Sequence, residues 1–174
     1  MKLTSFERED VHRLLSWVED EAGLMQWAGS SFTWPLTAEQ FREHLQAADT
    51  DPPVLYPLGL YETGALLGYC ELSDHRRRVD SAMLSRVVIR PDRRGRGLGQ
   101  LMVRQALAFG FERLKLHRIG LGVFDFNESA LRCYARAGFT CEGTLRDSAR
   151  VGDARWSCHI MSILRPEWQG DKPP

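Results

Sequence analysis

No run of 18 apolar residues occurs in this chain of 174, which argues against a membrane-spanning helix. Cysteine is scarce: four residues, at 70, 133, 141 and 158, with no Cys-x-x-Cys spacing. That argues against a zinc site or a thioredoxin motif and makes a reducing cytoplasm the default setting. Cys141 and Cys158 are the pair that a hairpin could bring face to face. Excess charge is absent as well, since 23 basic and 23 acidic residues balance to zero. A protein devoted to nonspecific nucleic-acid binding carries more positive charge than this. The opening, Met1 to Asp10, turns acidic at once, unlike a signal peptide. The five histidines show no His-Glu-x-x-His spacing, so no metal is expected, and no serine sits in Gly-x-Ser-x-Gly. A Gly-Lys-Ser/Thr tripeptide is missing too, which excludes a Walker loop.

What is present has the composition of an ordinary globular domain, 43% hydrophobic and 26% charged. The length suits one domain with a substantial core. The most informative stretch is Arg86 to Gly99. Val87-Val88-Ile89 reads as the end of a buried strand. Pro91-Asp92 breaks it. Gly95, Gly97 and Gly99 follow at alternate positions among Arg93, Arg94 and Arg96. From Leu98 the pattern turns helical, with Leu101, Met102, Ala106 and Phe109 on one face. A strand, a basic glycine loop and a helix N-terminus together make a phosphate or pyrophosphate site. The spacing is Gly-x-Gly-x-Gly, not the dinucleotide Gly-x-Gly-x-x-Gly.

A second apolar run, Ile119 to Phe126, leads to Asn127-Glu128-Ser129, a helix start. Ala130, Leu131, Tyr134 and Ala135 fall at helical spacing, and Gly138 is a C-cap before Phe139. Arg94, Gly97 and Gly99 fit Arg/Gln-x-x-Gly-x-Gly/Ala. Asn127, Ala130, Tyr134, Gly138 and Phe139 fit Asn-x-x-Ala-x-x-x-Tyr-x-x-x-Gly-Phe. In that order and about 30 residues apart, the two patterns resemble the signatures of the GNAT N-acetyltransferase superfamily. The resemblance covers about residues 54 to 165, and the first 50 follow it loosely. The ending Ile163-Leu164-Arg165-Pro166-Glu167-Trp168 is most similar to the branch that contains the ribosomal-protein N-terminal acetyltransferases.

In order, the pattern predicts a strand at 2–6, a helix from Glu9 or Asp10, an irregular aromatic segment from Leu24 to Pro35, and a helix from Thr37 with a capping box to Gln40. Strands follow at 54–62, 65–73 and 81–90. Then come helix 98–114, strand 118–125, helix 128–137, and strands 139–147 and 154–164 around Gly152-Asp153. The order β-α-α-β-β-β-α-β-α-β-β is that of a mixed α/β (α+β) domain. The resemblance implies one mixed sheet with helices on both faces. Residues 1–165 form the predicted domain and 166–174 a loose tail.

The resemblance also implies a site. Acetyl-CoA is the expected cosubstrate. Its pantetheine lies along Val87, Val88 and Ile89, with a backbone N–H near Val88 polarising the thioester carbonyl. Arg94, Gly95, Arg96, Gly97, Leu98 and Gly99 hold the pyrophosphate, and Asn127 contacts the cosubstrate. Each has a plainer reading, as core strand, mobile basic turn or helix cap. Tyr134 takes the position of the acid that protonates the departing thiolate; its plainer reading is a buried aromatic. A lysine-type amine, pKa ~10.4, is only about 0.04% neutral at pH 7, whereas an α-amine, pKa ~8, is about 10% neutral. Glu71, on the strand beside 81–90, is the expected base, with Asp80 and Asp125 as options. Cys133 neighbours Tyr134 in sequence but lies about 100° round the helix, against a covalent mechanism. Trp27, Phe32 and Trp34 lie where the family places acceptor walls. The function expected is transfer of acetyl to a primary amine, of a protein N-terminus or a small molecule, by direct attack. The alternatives are a noncatalytic acyl-CoA sensor and, last, an RNA-binding module using Arg76–Arg78 and Arg93–Arg96. No membrane partner is expected, nucleic acid is disfavoured, and a homodimer is compatible with the sequence.

Overall fold

The computed structural model describes residues 1–170. Twelve principal elements alternate along it. They are β1 (Lys2–Ser5), α1 (Val11–Leu15), α2 (Glu21–Ala28), α3 (Ala38–Leu45), β2 (Tyr56–Glu62), β3 (Ala65–Arg76), β4 (Ser81–Ile89), α4 (Leu98–Ala108), β5 (Arg118–Phe124), α5 (Glu128–Arg136), β6 (Thr140–Val151) and β7 (Ala154–Leu164). The expected elements are all there, with one addition. Helix α2 occupies ground read as irregular. Its N-terminus is fixed by Asp20, whose side chain accepts the Gly23 N–H. The helix expected at 98–114 turns to π geometry over Phe109–Arg113. At α3, Thr37 caps Gln40 N–H, but the Gln40 side chain goes to Thr33 and Pro35 instead of closing a capping box.

The strands form one sheet in the order β1-β2-β3-β4-β5-β7-β6. Every neighbouring pair is antiparallel except β4 and β5, which run parallel. Helices cover both faces, as a mixed sheet buried on two sides requires. On one face α4 and α5 pack Met102, Val103, Leu107 and Tyr134 onto Leu67, Leu72, Leu84 and Leu121. On the other, α1 and α3 pack Val11, Leu14, Phe41 and Leu45 onto Leu66 and Tyr69. Phe41, Leu14 and Leu45 are completely buried. Such side chains each contribute roughly 1.5–3 kcal/mol relative to exposure.

One open question about the cysteines is answered here, and one expectation, about the tail, is corrected. Cys141 lies opposite Met161, and Cys158 opposite Leu145, so the two cysteines do not face each other; all four cysteines are free. The start of the tail is docked, not loose. Arg165–Glu167 forms a turn, the Glu167 carboxylate accepts the Leu164 N–H at 2.8 Å, and the Trp168 ring lies 5.8 Å from Phe111. Residues 171–174 of the expected tail lie outside the described residues. No helix among the described residues is long and apolar enough to cross a membrane.

Candidate active site

The parallel ladder between β4 and β5 is short. It runs from Ser81 opposite Arg118 to Met83 opposite Gly120, and there it ends. A β-bulge turns β4 away. Between Glu71 and Tyr69, β3 advances two residues while β4 advances three, from Ser85 to Val88. Arg86, inside that interval, sits at φ 50°. An inserted residue bends its strand and breaks the ladder. The wedge between the separated strands is a cleft of about 920 Å³.

Val87, Val88 and Ile89 all wall this cleft. Their backbone groups divide by alternation. Arg90 donates its N–H to the Leu67 carbonyl at 2.9 Å, on the β3 side. Val88, two residues earlier, turns the same way. The N–H groups facing the cleft are therefore those of Val87 and Ile89. Both flank Val88, the neighbourhood in which the resemblance places the donor to the thioester carbonyl.

At the end of β4 the chain turns through Pro91–Arg93, with Arg90 paired to Asp92 at 2.7 Å. Gly95 and Gly97 have φ of 74° and 78°. A Cβ built on either meets nothing within 4 Å, so the loop borders open space. Gly97 starts α4 without a side-chain cap, and the first returning bond is Leu101 N–H to Gly97 at 3.1 Å. The N–H groups of Leu98, Gly99 and Gln100 thus lack helical partners. Those donors and the helix dipole fit a pyrophosphate. Arg94 walls the cleft and ties the loop to β4, its Nε donating to Ile89 at 3.1 Å. Arg96 is exposed and is not among the cleft walls.

Across the cleft, Tyr134 projects from α5. It is 7% exposed, stands edge-on to Phe139, and its hydroxyl has no hydrogen-bond partner among the described residues. Burial pushes its phenol well above the ordinary range, so it stays protonated. Cys133 also walls the cleft, but burial pushes its thiol up to about 11, which leaves no thiolate for covalent chemistry. Asn127 caps α5 by accepting the Ala130 N–H at 3.2 Å, and its side-chain NH2 is not used in that bond. The cap and the cleft contact are compatible, since Asn127 also walls the cleft.

The same cleft is lined also by Trp17, Glu19, Asp20, Gln26 and Trp27, in and before α2. Trp27 stacks on Phe32, so two of the three expected aromatics belong to this wall and its support, whereas Trp34 is exposed. Glu71 is not brought to the cleft. It is completely buried on the α1/α3 face, where Arg86, Tyr69 and His44 surround its carboxylate. Asp80 lies at the far end of β4, its carbonyl accepting from His117 and Arg118, and Asp125 is exposed beyond β5. Neither walls the cleft. Within the basic connector Arg76 pairs with Asp74, and Arg77 donates to the Pro53 carbonyl. Among the described residues no group of three or more metal ligands occurs.

The acetyltransferase (GNAT) family matches residues 21–139. Spermidine N(1)-acetyltransferase of Escherichia coli K12 is 26% identical over 147 residues, 83% of this chain and 75% of that protein. The putative ribosomal N-acetyltransferase YdaF of Bacillus subtilis is 25% identical over 95% of this chain and 92% of its own. The spermidine N-acetyltransferase of Vibrio cholerae, solved with CoA and spermine, superposes with a TM-score of 0.83 at 22% identity, over 95% of this chain and 96% of that one. The placement in the ribosomal-protein branch is corrected: spermidine and spermine acetyltransferases recur among the curated relatives as well as among the solved structures that share the fold. The residues behind it explain the error. Ile163 fills the core, Glu167 closes a turn and Trp168 covers Phe111. They finish the sheet and carry no information about an acceptor. The chain belongs to the acetyltransferase (GNAT) family and is an acetyl-CoA-dependent N-acetyltransferase that acts on a primary amine.

Proposed function

We propose that the acceptor is a small cationic amine of the polyamine kind, which attacks acetyl-CoA directly. The observation that carries this reading is the acidic, aromatic lining of the acceptor end, Glu19 and Asp20 beside Trp17 and Trp27. Carboxylates at a rim attract a polycation, and indole faces favour its methylenes and charge. The spermidine acetyltransferases among the similar proteins support it.

Acetyl-CoA supplies an activated acyl group. Leu98, Gly99 and Gln100 bind its pyrophosphate through their N–H groups, while Asn127 anchors the adjoining segment. The N–H of Val87 or Ile89 donates to the oxygen that gains charge during attack. Tyr134 gives its phenolic proton to the sulfur. Glu19 takes the amine's proton, directly or through water. Among the described residues its carboxylate has no ion pair or hydrogen bond, whereas Asp20 is engaged by the Gly23 N–H. Four free thiols suit a reducing, cytoplasmic setting.

The test is thiol release from acetyl-CoA with spermidine, single amino acids and a peptide bearing a free N-terminus. Turnover of spermidine at a kcat/KM at least tenfold above the others is expected. Turnover of the peptide alone would overturn the acceptor reading. CoA binding without turnover of any amine would favour a sensor.

A further inference from the structure

Glu71 and Arg86 perform no step in this scheme, yet they are among the most constrained polar groups in the fold. The Glu71 carboxylate is fully buried. Arg86 Nη1 donates to one oxygen at 2.6 Å, the Tyr69 hydroxyl donates to the other at 2.5 Å, and His44 Nε2 lies 3.0 and 3.1 Å from the two. These partners come from β4, β3 and α3. The oxygens are spent, and a general base must come within about 3 Å of the reacting nitrogen or reach it through one water.

Arg86 belongs to the bulge that opens the cleft. Its side chain is 9% exposed, and its guanidinium carbon lies 5.3 Å from the centre of the Phe32 ring. Its Nε is buried without a partner. A non-glycine residue at φ 50° is strained and persists only where its surroundings over-determine it. Two contacts do so. The side chain is fastened to Glu71, and the backbone carbonyl accepts the Trp27 indole N–H at 2.8 Å. Trp27 is part of α2 and walls the acceptor end. A charge held from β3 therefore fixes the bend of the cosubstrate strand, and the bent residue in turn holds the helix that faces the amine.

We infer that Glu71 and Arg86 are positioning residues: a clamp across β3 and β4 that sets the bulge and, through Trp27, seats the acceptor wall. The inference rests on the acyl-transfer reading of the cleft. It separates the two halves of the site, since Gly95 to Gln100 and Asn127 lie outside the clamp.

The experiment compares Trp27→Phe, Glu71→Gln and the double variant Glu71→Leu/Arg86→Met with the wild type. Acetyl-CoA affinity is read by calorimetry, and KM for spermidine and the pH profile of kcat/KM by thiol release. Trp27→Phe deletes one donor and keeps the ring. The double variant removes both charges together, so it remains informative if Glu71→Gln alone fails to fold. The expected result is a KM for spermidine raised at least tenfold in each folded variant with an unchanged pH profile, acetyl-CoA affinity staying within twofold of wild type in Trp27→Phe, which leaves the bulge intact, and falling in the two variants that release Arg86. Loss of acetyl-CoA affinity in Trp27→Phe, in parallel with its rise in KM, would overturn the clamp in favour of general structural damage. Loss of the acid limb of the profile with KM unchanged would make Glu71 the base after all. Wild-type KM in the double variant would also overturn it. A wild-type protein that binds CoA but turns over no amine sinks the transferase reading itself, which the variant pattern cannot mimic.

Discussion

Met83 and Gly120 are the last partners of β4 and β5. Up to that pair the two strands form an ordinary parallel ladder. Beyond it each keeps its outer neighbour, β3 or β7, and loses the inner one. Unpaired backbone groups inside a sheet are costly unless a ligand or water satisfies them. An extended, amide-bearing chain such as pantetheine fills that edge as an added strand would. In the proposed site the break in pairing is the physical basis of cosubstrate binding.

The glycine loop provides the first prediction. Gly97 sits at φ 78°, where a β-branched residue is strongly disfavoured, and a valine there would also screen the N–H groups that open α4. Gly97→Val should weaken acetyl-CoA binding at least tenfold, equivalent to about 1.4 kcal/mol. Calorimetry checks it, with urea unfolding of the ligand-free protein to measure the separate cost of backbone strain. Unchanged affinity would remove the pyrophosphate from this loop.

In the proposed site Asn127 has two roles, cap and cosubstrate contact, that substitution can separate. Its Oδ1 caps α5, and its NH2 remains for the cosubstrate. Asn127→Ala should lose about 1 kcal/mol of stability through the missing cap, along with acetyl-CoA affinity. Asn127→Asp retains a good cap but presents an anion where a donor stood. It should recover the stability and leave binding impaired. Equal recovery of both would reduce Asn127 to a cap.

Arg118 and Glu142 form a fork-to-fork pair, with oxygens at 2.7 and 2.5 Å, and Ser162 adds a third donor. The Arg118 hydrogen bond, then Ser162, hold the Glu142 carboxyl down at about 2. A carboxylate depressed in the folded state stabilises the fold above its ordinary pKa of about 4.3. That contribution is lost as pH falls from there through 2. Both side chains are partly exposed, so the effect is small and screened by salt. Glu142→Gln should have a lower Tm than wild type at pH 7, and the gap should close at pH 2. A gap independent of pH would show that the charge is irrelevant.

Much of this site is legible in sequence because its signals are local. Alternate glycines announce the loop, and the spacing from Asn127 to Tyr134 places cap and phenol two turns apart on one helix. Helix α2 escaped notice because Gly23 weakens its propensity and Leu24 is its one buried residue. The bulge was invisible for a different reason. Positive φ usually advertises itself by glycine or asparagine, and here an arginine adopts it under tertiary constraint. Glu71 as base rests on strand order alone. Its partners come from three elements 2 to 27 residues away, and no local pattern reports such a convergence.

Tyr134 carries the sharpest kinetic prediction. Its hydroxyl faces the cleft from a buried ring, and burial holds the phenol well above its ordinary value. An unperturbed phenol would be half ionised at pH ~10 and would lose acid strength as the assay approached that value. Here the proton remains in place, so kcat should show no descending alkaline limb between pH 8 and 10. Tyr134→Phe removes the proton without changing the ring. It should lower kcat by about 100-fold, the lower range for a positioned acid, with acetyl-CoA affinity within twofold. Acceptors that leave kcat limited by product release would hide part of that loss, so single-turnover rates of acetyl transfer are the proper measurement. A variant with the wild-type single-turnover rate would leave Tyr134 as a wall of the cleft and assign the proton on sulfur to solvent.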